Sequence, residues 1–200
     1  DIAQAVGVLS RYRSAPTTSH WNAAIRVLHY LRETKERVLL LGRDPHVSLE
    51  GYVDADFAGD LDSRFSTSGY VFYVFGGAVS WSSKKQKSVA TSTVEAEFMA
   101  ASAAVKEAAW LKSFLEELGV SPWTVRIHCD NQGCIQNLKN SINSKFTKHI
   151  AVQFHFARKA IKKGQVNIKY VESAKNQADI MTKPLVGPVF KRHVQSLGLL

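Results

Sequence analysis

The hydrophobic pattern changes period near residue 47, and that change limits the folds open to this chain. Upstream, apolar residues recur at helical spacing: Trp21, Ala24, Ile25, Leu28 and Leu31 follow a cap at Thr18-Ser19. Arg37 to Leu41 is a short apolar run that Gly42-Arg43-Asp44-Pro45 breaks. Downstream, three β-type runs succeed one another: Val47 to Asp54, Gly69 to Phe75 and Ala78 to Ser82, with the hairpin signal Gly76-Gly77 between the last two. A long helix follows, then a strand at Val125 to Cys129 and a short helix after Asp130. A helix from Lys148 to Lys163, a strand at Val166 to Val171 and helical segments complete the chain. Consecutive strands followed by helix–strand alternation predict an α/β fold, a mixed sheet with helices packed on it.

At 200 residues the chain has room for one ordinary domain and an appendage. No apolar run approaches the roughly 18–20 residues of a membrane helix, so no membrane role is expected. The opening Asp1-Ile2-Ala3-Gln4 has no signal-peptide character, and without a Met start it reads as a piece of something longer. Cys129 and Cys134 match no disulfide framework or zinc spacing and are expected to be reduced, as in an intracellular protein. Residues 1–120 carry 13 Lys+Arg against 14 Asp+Glu, whereas residues 121–200 carry 13 against 3. The whole net charge of +9 therefore resides in the last 80 residues, which suits a polyanionic partner.

Asp54 and Asp130 fall at the C-terminal ends of strands, where open α/β sheets place their ligands. Each has a bland alternative: a helix N-cap for Asp130, a solvated acidic loop with Asp56, Asp60 and Asp62 for Asp54. The long helix is more discriminating. Ser92-Thr93-Val94-Glu95 is a capping box, which gives Glu95 a structural task. The apolar stripe Val94, Phe98, Ala101, Val105, Ala108, Leu111 and Leu115 includes the direction of Glu97, while Glu95 lies more than about 90° from its centre. A carboxylate on a core-facing stripe is costly unless a cation compensates it. Asp179 lies after the last strand, where the alternative is a helix-start acid. Only three acids occur in residues 121–200, and Asp130 and Asp179 are two of them. Such a carboxylate set suits Mg²⁺ or Mn²⁺. His20, His29 and Trp21 read as packing or surface residues, and Trp81, Trp110 and Trp123 as core or rim packing.

Seven motifs, in order, are Tyr52-Val53-Asp54-Ala55-Asp56, Ser66-Thr67-Ser68-Gly69-Tyr70, Ser80-Trp81-Ser82-Ser83-Lys84-Lys85-Gln86-Lys87, Glu95-Ala96-Glu97-Phe98-Met99-Ala100, Cys129-Asp130-Asn131-Gln132, Thr147-Lys148-His149-Ile150 and Ala178-Asp179-Ile180-Met181-Thr182-Lys183-Pro184. Together they resemble the ribonuclease H region of copia-type LTR retrotransposon polyproteins. Residues 1–45 resemble the end of the preceding reverse transcriptase, leaving 46–200 as the ribonuclease H domain. The resemblance implies a ribonuclease H-like fold: a five-stranded sheet of order 3-2-1-4-5, helices on both faces, and here an N-terminal helical appendage. It also implies an Asp-Glu-Asp-Asp site formed by Asp54, Glu97, Asp130 and Asp179.

On that resemblance the chain is expected to hydrolyse the RNA strand of an RNA–DNA hybrid with two Mg²⁺ (or Mn²⁺) ions, leaving 3′-hydroxyl and 5′-phosphate ends. Asp54 is expected to bridge the ions, with Glu97 and Asp130 on one and Asp179 on the other. The expected partners are the hybrid and the reverse transcriptase of the same polyprotein, in a cytoplasmic virus-like particle or the nucleus. Asn131 and Gln132 are candidates for 2′-hydroxyl contacts. Lys84, Lys85, Lys145, Lys148, Arg158 and Lys162 are candidates for phosphate contacts. Two departures stand out: the loop Glu172 to Gln177 lacks the His found in many ribonucleases H, and Asn140 to Thr147 is too short for a basic handle. The competing readings are a hybrid-binding or scaffold domain without activity, and a DNA nuclease of the same fold.

Overall fold

Alternation at period two sends Val71 and Tyr73 to one side of a strand and Phe72 and Val74 to the other, and each side has its own core. The computed structural model describes residues 1–42, 49–120, 124–140 and 148–200, the stretch 148–154 for its backbone alone. Two helices, α1 (Ala3–Ser10) and α2 (Thr18–Glu33), precede β1 (Leu49–Asp56), β2 (Thr67–Val74), β3 (Gly77–Lys85) and the long α3 (Thr93–Glu117). Then come β4 (Val125–Cys129), α4 (Gln132–Lys139), α5 (Lys148–Lys162), β5 (Val166–Tyr170), a 3₁₀ turn (Ser173–Lys175), α6 (Asp179–Thr182) and α7 (Gly187–Ser196). The sheet order is β3-β2-β1-β4-β5, antiparallel across β3-β2-β1 and parallel across β1-β4-β5, as the resemblance implied.

The hairpin turns at Phe75-Gly76, one residue earlier than the Gly76-Gly77 signal suggested. Both central residues have positive φ, 51° and 75°, while Val74 faces Gly77 across the ladder. A phenylalanine in the left-handed region costs about 1–2 kcal/mol, which the packing of its ring against the main core helps offset. That core joins Leu49, Val53, Phe72, Ile127 and Ile168 of the sheet to Phe98, Val105 and Leu111 of α3, with Leu138 of α4 and Ala160 of α5. On the opposite face Val71, Tyr73 and Ala78 pack against Ile180 and Met181 of α6 and Val194 of α7. Helices therefore cover both faces.

Thr17, not Thr18-Ser19, caps α2: its hydroxyl accepts from the His20 N–H, and its own N–H donates to His20 Nδ1 at 3.0 Å. His20 thus serves a cap and stacks on Tyr12. In the apolar stripe of α2, Trp21 is 66% exposed and Leu28 and Leu31 are also exposed, while Ala24 and Ile25 are half-buried. The run after α2 is tied to the chain's end, since Leu39 bridges Leu199 and Val38 N–H donates to the Leu200 carbonyl at 2.9 Å. Among the described residues no helix is long and apolar enough to cross a membrane.

Candidate metal centre

Val53 pairs in parallel with Cys129, so Asp54 and Asp130, the next residue on each chain, leave the sheet together. Asp130 is not the cap of α4. Asn131 is, its Oδ1 accepting from Cys134 N–H at 2.8 Å, and Asp130 is left for other work. Asp54 is buried at 3% exposure and lies opposite Gly69 in the ladder. A Cβ on Gly69 would lie 2.6 Å from Thr182 Cγ2 and 2.7 Å from Met181 Cβ, so the bare backbone there lets α6 sit directly on the sheet. That approach brings the Thr182 hydroxyl into a hydrogen bond with Asp54 Oδ2 and carries Asp179 into the site. Buried Asn176 fastens the preceding loop, donating from Nδ2 to the Val53 carbonyl at 3.0 Å and accepting from Ala178 N–H at 3.2 Å.

Glu97 arrives from the other face, on α3. Ser92 caps this helix by accepting from Glu95 N–H at 3.2 Å, but the Glu95 carboxylate reaches one residue further back than a capping box requires, to the N–H and hydroxyl of Thr91. Glu97 is 7% exposed; its Oε1 accepts from Ala55 N–H at 3.4 Å, and among the described residues its buried Oε2 has no hydrogen-bond partner.

The acids form two overlapping groups. One oxygen each of Asp54, Asp130 and Asp179 lie within 4.8 Å of one another, and so do oxygens of Glu97 and Asp130 with Cys129 Sγ. Asp130 is the acid common to both groups. Lys183 is a cation at the site, its Nζ 3.1 Å from Asp179 Oδ1 and 3.7 Å from Asp54 Oδ2. Burial, reinforced by Cys129, Asp54 and Asp130, pushes the Glu97 carboxyl up to about 10. Burial also raises Asp54 and Asp179, against the pull of Lys183 on both. Lys183 is held above its ordinary value by Asp54 and Asp179 although its own burial disfavours the charge. Asp54 and Asp179 share the Lys183 ammonium, Asp130 links their carboxylates to Glu97, and a buried Glu97 oxygen has no hydrogen bond among the described residues; such an oxygen-rich set fits a hard divalent cation of the Mg²⁺ or Mn²⁺ type.

The expected nucleic-acid contacts are dispersed. Lys84 is exposed on β3, Gln132 in the first turn of α4 and Lys162 at the end of α5. Lys85 is instead paired at 2.9 Å with buried Asp60, which also receives Arg11 at 2.8 Å. Arg158 donates to the Asn137 carbonyl, from Nε at 3.1 Å and Nη2 at 2.6 Å, and to the Asn140 carbonyl, closing the end of α4. Lys145 and Trp123 lie outside the described residues, as does the side chain of Lys148. Trp81 and Trp110 are half-exposed rather than core, and Trp110 stacks on Phe114. Sequence reasoning missed Asn176, Thr182 and Lys183. For the last two a signal existed, because they stand three and four residues after Asp179, on one side of a helical turn.

No protein-family model matches the chain. It is 45% identical over 199 residues to the retrovirus-related Pol polyprotein of transposon TNT 1-94 from Nicotiana tabacum, an overlap covering 100% of this chain and 15% of the polyprotein. The Pol polyprotein of transposon RE2 from Arabidopsis thaliana is 38% identical over 201 residues, covering 100% of this chain and 14% of its own length. In structure the chain resembles LC11-RNase H1, solved in complex with an RNA/DNA hybrid, with a TM-score of 0.50 and 15% identity over 68% of this chain and 94% of that one. That likeness shows a shared fold. The chain belongs to the copia-type retrotransposon Pol polyproteins, as a segment of them with a ribonuclease H-like fold.

Proposed function

We propose that the chain is a metal-dependent ribonuclease H that hydrolyses the RNA strand of RNA–DNA hybrids made during reverse transcription of the element. The observation that carries this reading is the meeting of Asp54, Asp130 and Asp179, remote in sequence, in one carboxylate group, and of Asp130 with buried Glu97 in a second. Two Mg²⁺ or Mn²⁺ ions held by these acids would supply Lewis acidity at the scissile phosphate and lower the pKa of an attacking water. The chain's own residues set the stage: Thr182 fixes the orientation of Asp54, Asn176 holds the loop that delivers Asp179, and Ala55 N–H orients Glu97. Lys183 offsets part of the acids' mutual repulsion. In-line attack by water would release a 3′-hydroxyl and a 5′-phosphate.

The hybrid-bound LC11 enzyme supports a hybrid as substrate for this fold. Gln132, exposed beside Asp130, and Nδ2 of Asn131, whose Oδ1 is taken by the cap, are the proposed 2′-hydroxyl contacts. Lys84 and Lys162 are the proposed exposed phosphate contacts, with Lys145 and Lys148. Residues 1–45 are proposed as the end of the reverse transcriptase that partners the domain at 46–200, inside the cell.

The test is cleavage of a labelled hybrid with Mg²⁺ or Mn²⁺. Asp54→Asn and Glu97→Gln should each lower the rate at least about a hundredfold while hybrid binding persists. Equal cleavage by the variants would remove the assignment, and binding without cleavage by the unaltered chain would leave a hybrid-binding domain.

A further inference from the structure

A second cavity, of about 440 Å³, opens on the α7 face of the sheet, lined among others by Tyr52, His128, Lys175, Gln177, Arg192 and His193. Tyr52 and His128 stand two residues before Asp54 and Asp130 on their strands, and residues that far apart share a face. The cavity thus lies beside the carboxylate centre, roughly 7 Å back along the strands. Its character is opposite. Among the described residues no carboxylate lines it, and the charged lining side chains, Lys175 and Arg192, are cations.

Two of its nitrogens have no hydrogen bond among the described residues. His193 is 3% exposed, and its Nδ1 has no hydrogen bond. His128 stacks on Tyr52 with ring centroids 4.7 Å apart, and its buried Nε2 also has no hydrogen bond, the nearest acid oxygen being Glu50 Oε2 at 3.9 Å. Leaving a buried polar atom unmatched is costly, so two in one cavity favour a polar guest there. The acids near the rim are already matched: Glu50 pairs with Arg126 at 3.0 Å and Glu172 with Lys175 at 3.0 Å. Arg192 spends one Nη2 contact on the Ala174 carbonyl at 3.1 Å, which anchors the guanidinium at the cavity and leaves it further N–H groups. Imidazole, amide and guanidinium groups without a lining acid suit an anion, the Lys175 ammonium being shared with Glu172, and a guanidinium suits the oxygens of a phosphate.

We infer that this cavity is a phosphate-binding site, separate from the carboxylate centre, that takes either a nucleic-acid backbone phosphate or a free phosphate ester. Its volume lies within the about 300–1,000 Å³ of small-ligand sites, leaving room for a sugar or nucleoside on the phosphate. The inference rests on the cavity and its donors, not on the nuclease reading.

Imidazole ¹H–¹⁵N spectra of the whole chain, in metal-free buffer at constant ionic strength, test it. Inorganic phosphate and a short DNA duplex are titrated separately, with chloride as control. Saturable shifts of the His128 and His193 ring signals with inorganic phosphate assign the site to free phosphate esters. Shifts with the duplex alone assign it to the backbone. Arg192→Ala, at an exposed position, should weaken either response about tenfold or more, and Arg192→Lys should restore part of it. No saturable shift with either probe, or an undiminished response in Arg192→Ala, overturns the inference. Metal-free conditions keep this readout apart from cleavage, so a failed nuclease assay leaves it standing.

Discussion

Glu97 shows what a single buried carboxylate does to a protein's response to pH. Its folded-state value of about 10 lies far above the ordinary 4.5, so the folded chain binds that proton more tightly than the unfolded chain does. The resulting stability is complete below about 4.5 and is lost as pH rises toward 10. Asp54 and Asp179, raised by burial, act in the same direction. Thermal melts in EDTA should therefore show the melting temperature falling between about pH 6 and 9. Glu97→Gln should flatten that slope and be more stable than the unaltered chain at about pH 8, by roughly 1–4 kcal/mol. An unchanged slope in the variant would contradict the value assigned to Glu97. Mn²⁺ should bind more tightly as pH rises, because it competes with that proton. The burial of Glu97 was legible in the sequence because helical phase separates it from Glu95. The partners of Lys85 and Arg158 were not, since composition and periodicity do not say which distant carboxylate or carbonyl a basic side chain will meet.

Elements differ in how plainly the sequence announces them. β4 begins and ends where its apolar alternation does, and α3 is marked by Ser92 at one end and a long apolar stripe. α6 has only 4 residues, too few for any period, and its place on the sheet depends on Gly69, a residue of another element. The capping of α4 by Asn131 instead of Asp130 turns on a one-residue offset that two neighbouring capping residues leave open. Two glycines now make a paired prediction. Gly51→Ala meets the Phe72 ring at 2.3 Å, inside the main core, whereas Gly69→Ala meets α6. Both should lose about 1–3 kcal/mol in denaturant titrations. Only Gly69→Ala should also weaken Mn²⁺ binding in calorimetry, because it displaces the helix carrying Asp179 and Thr182. Equal Mn²⁺ affinity in both variants would mean that α6 does not set the site.

At the scale of the whole molecule, the N-terminal segment is fastened to the α/β body at both ends. Arg11 reaches Asp60 and, at 3.2 Å, the Thr67 hydroxyl, while Val38 to Leu40 pair with the last three residues. Neither tie could be read from local pattern, because each joins stretches far apart in the chain. Arg11→Met leaves Asp60 with Lys85 and should cost about 1–3 kcal/mol in a denaturant titration, the loss of one charged hydrogen bond next to a buried carboxylate. A loss under about 0.5 kcal/mol would make α1 a loosely attached appendage. What unites the molecule is the edge where both faces of the sheet deliver acids to one place, Glu97 from α3 and Asp179 from α6. The most direct test is the anomalous scattering of a crystal soaked in Mn²⁺. Manganese peaks bounded by Asp54, Glu97, Asp130 and Asp179, with Lys183 Nζ displaced from Asp54, are the predicted result. A soaked crystal with no manganese between those four carboxylates, or with Glu97 turned away from Asp130, would contradict it.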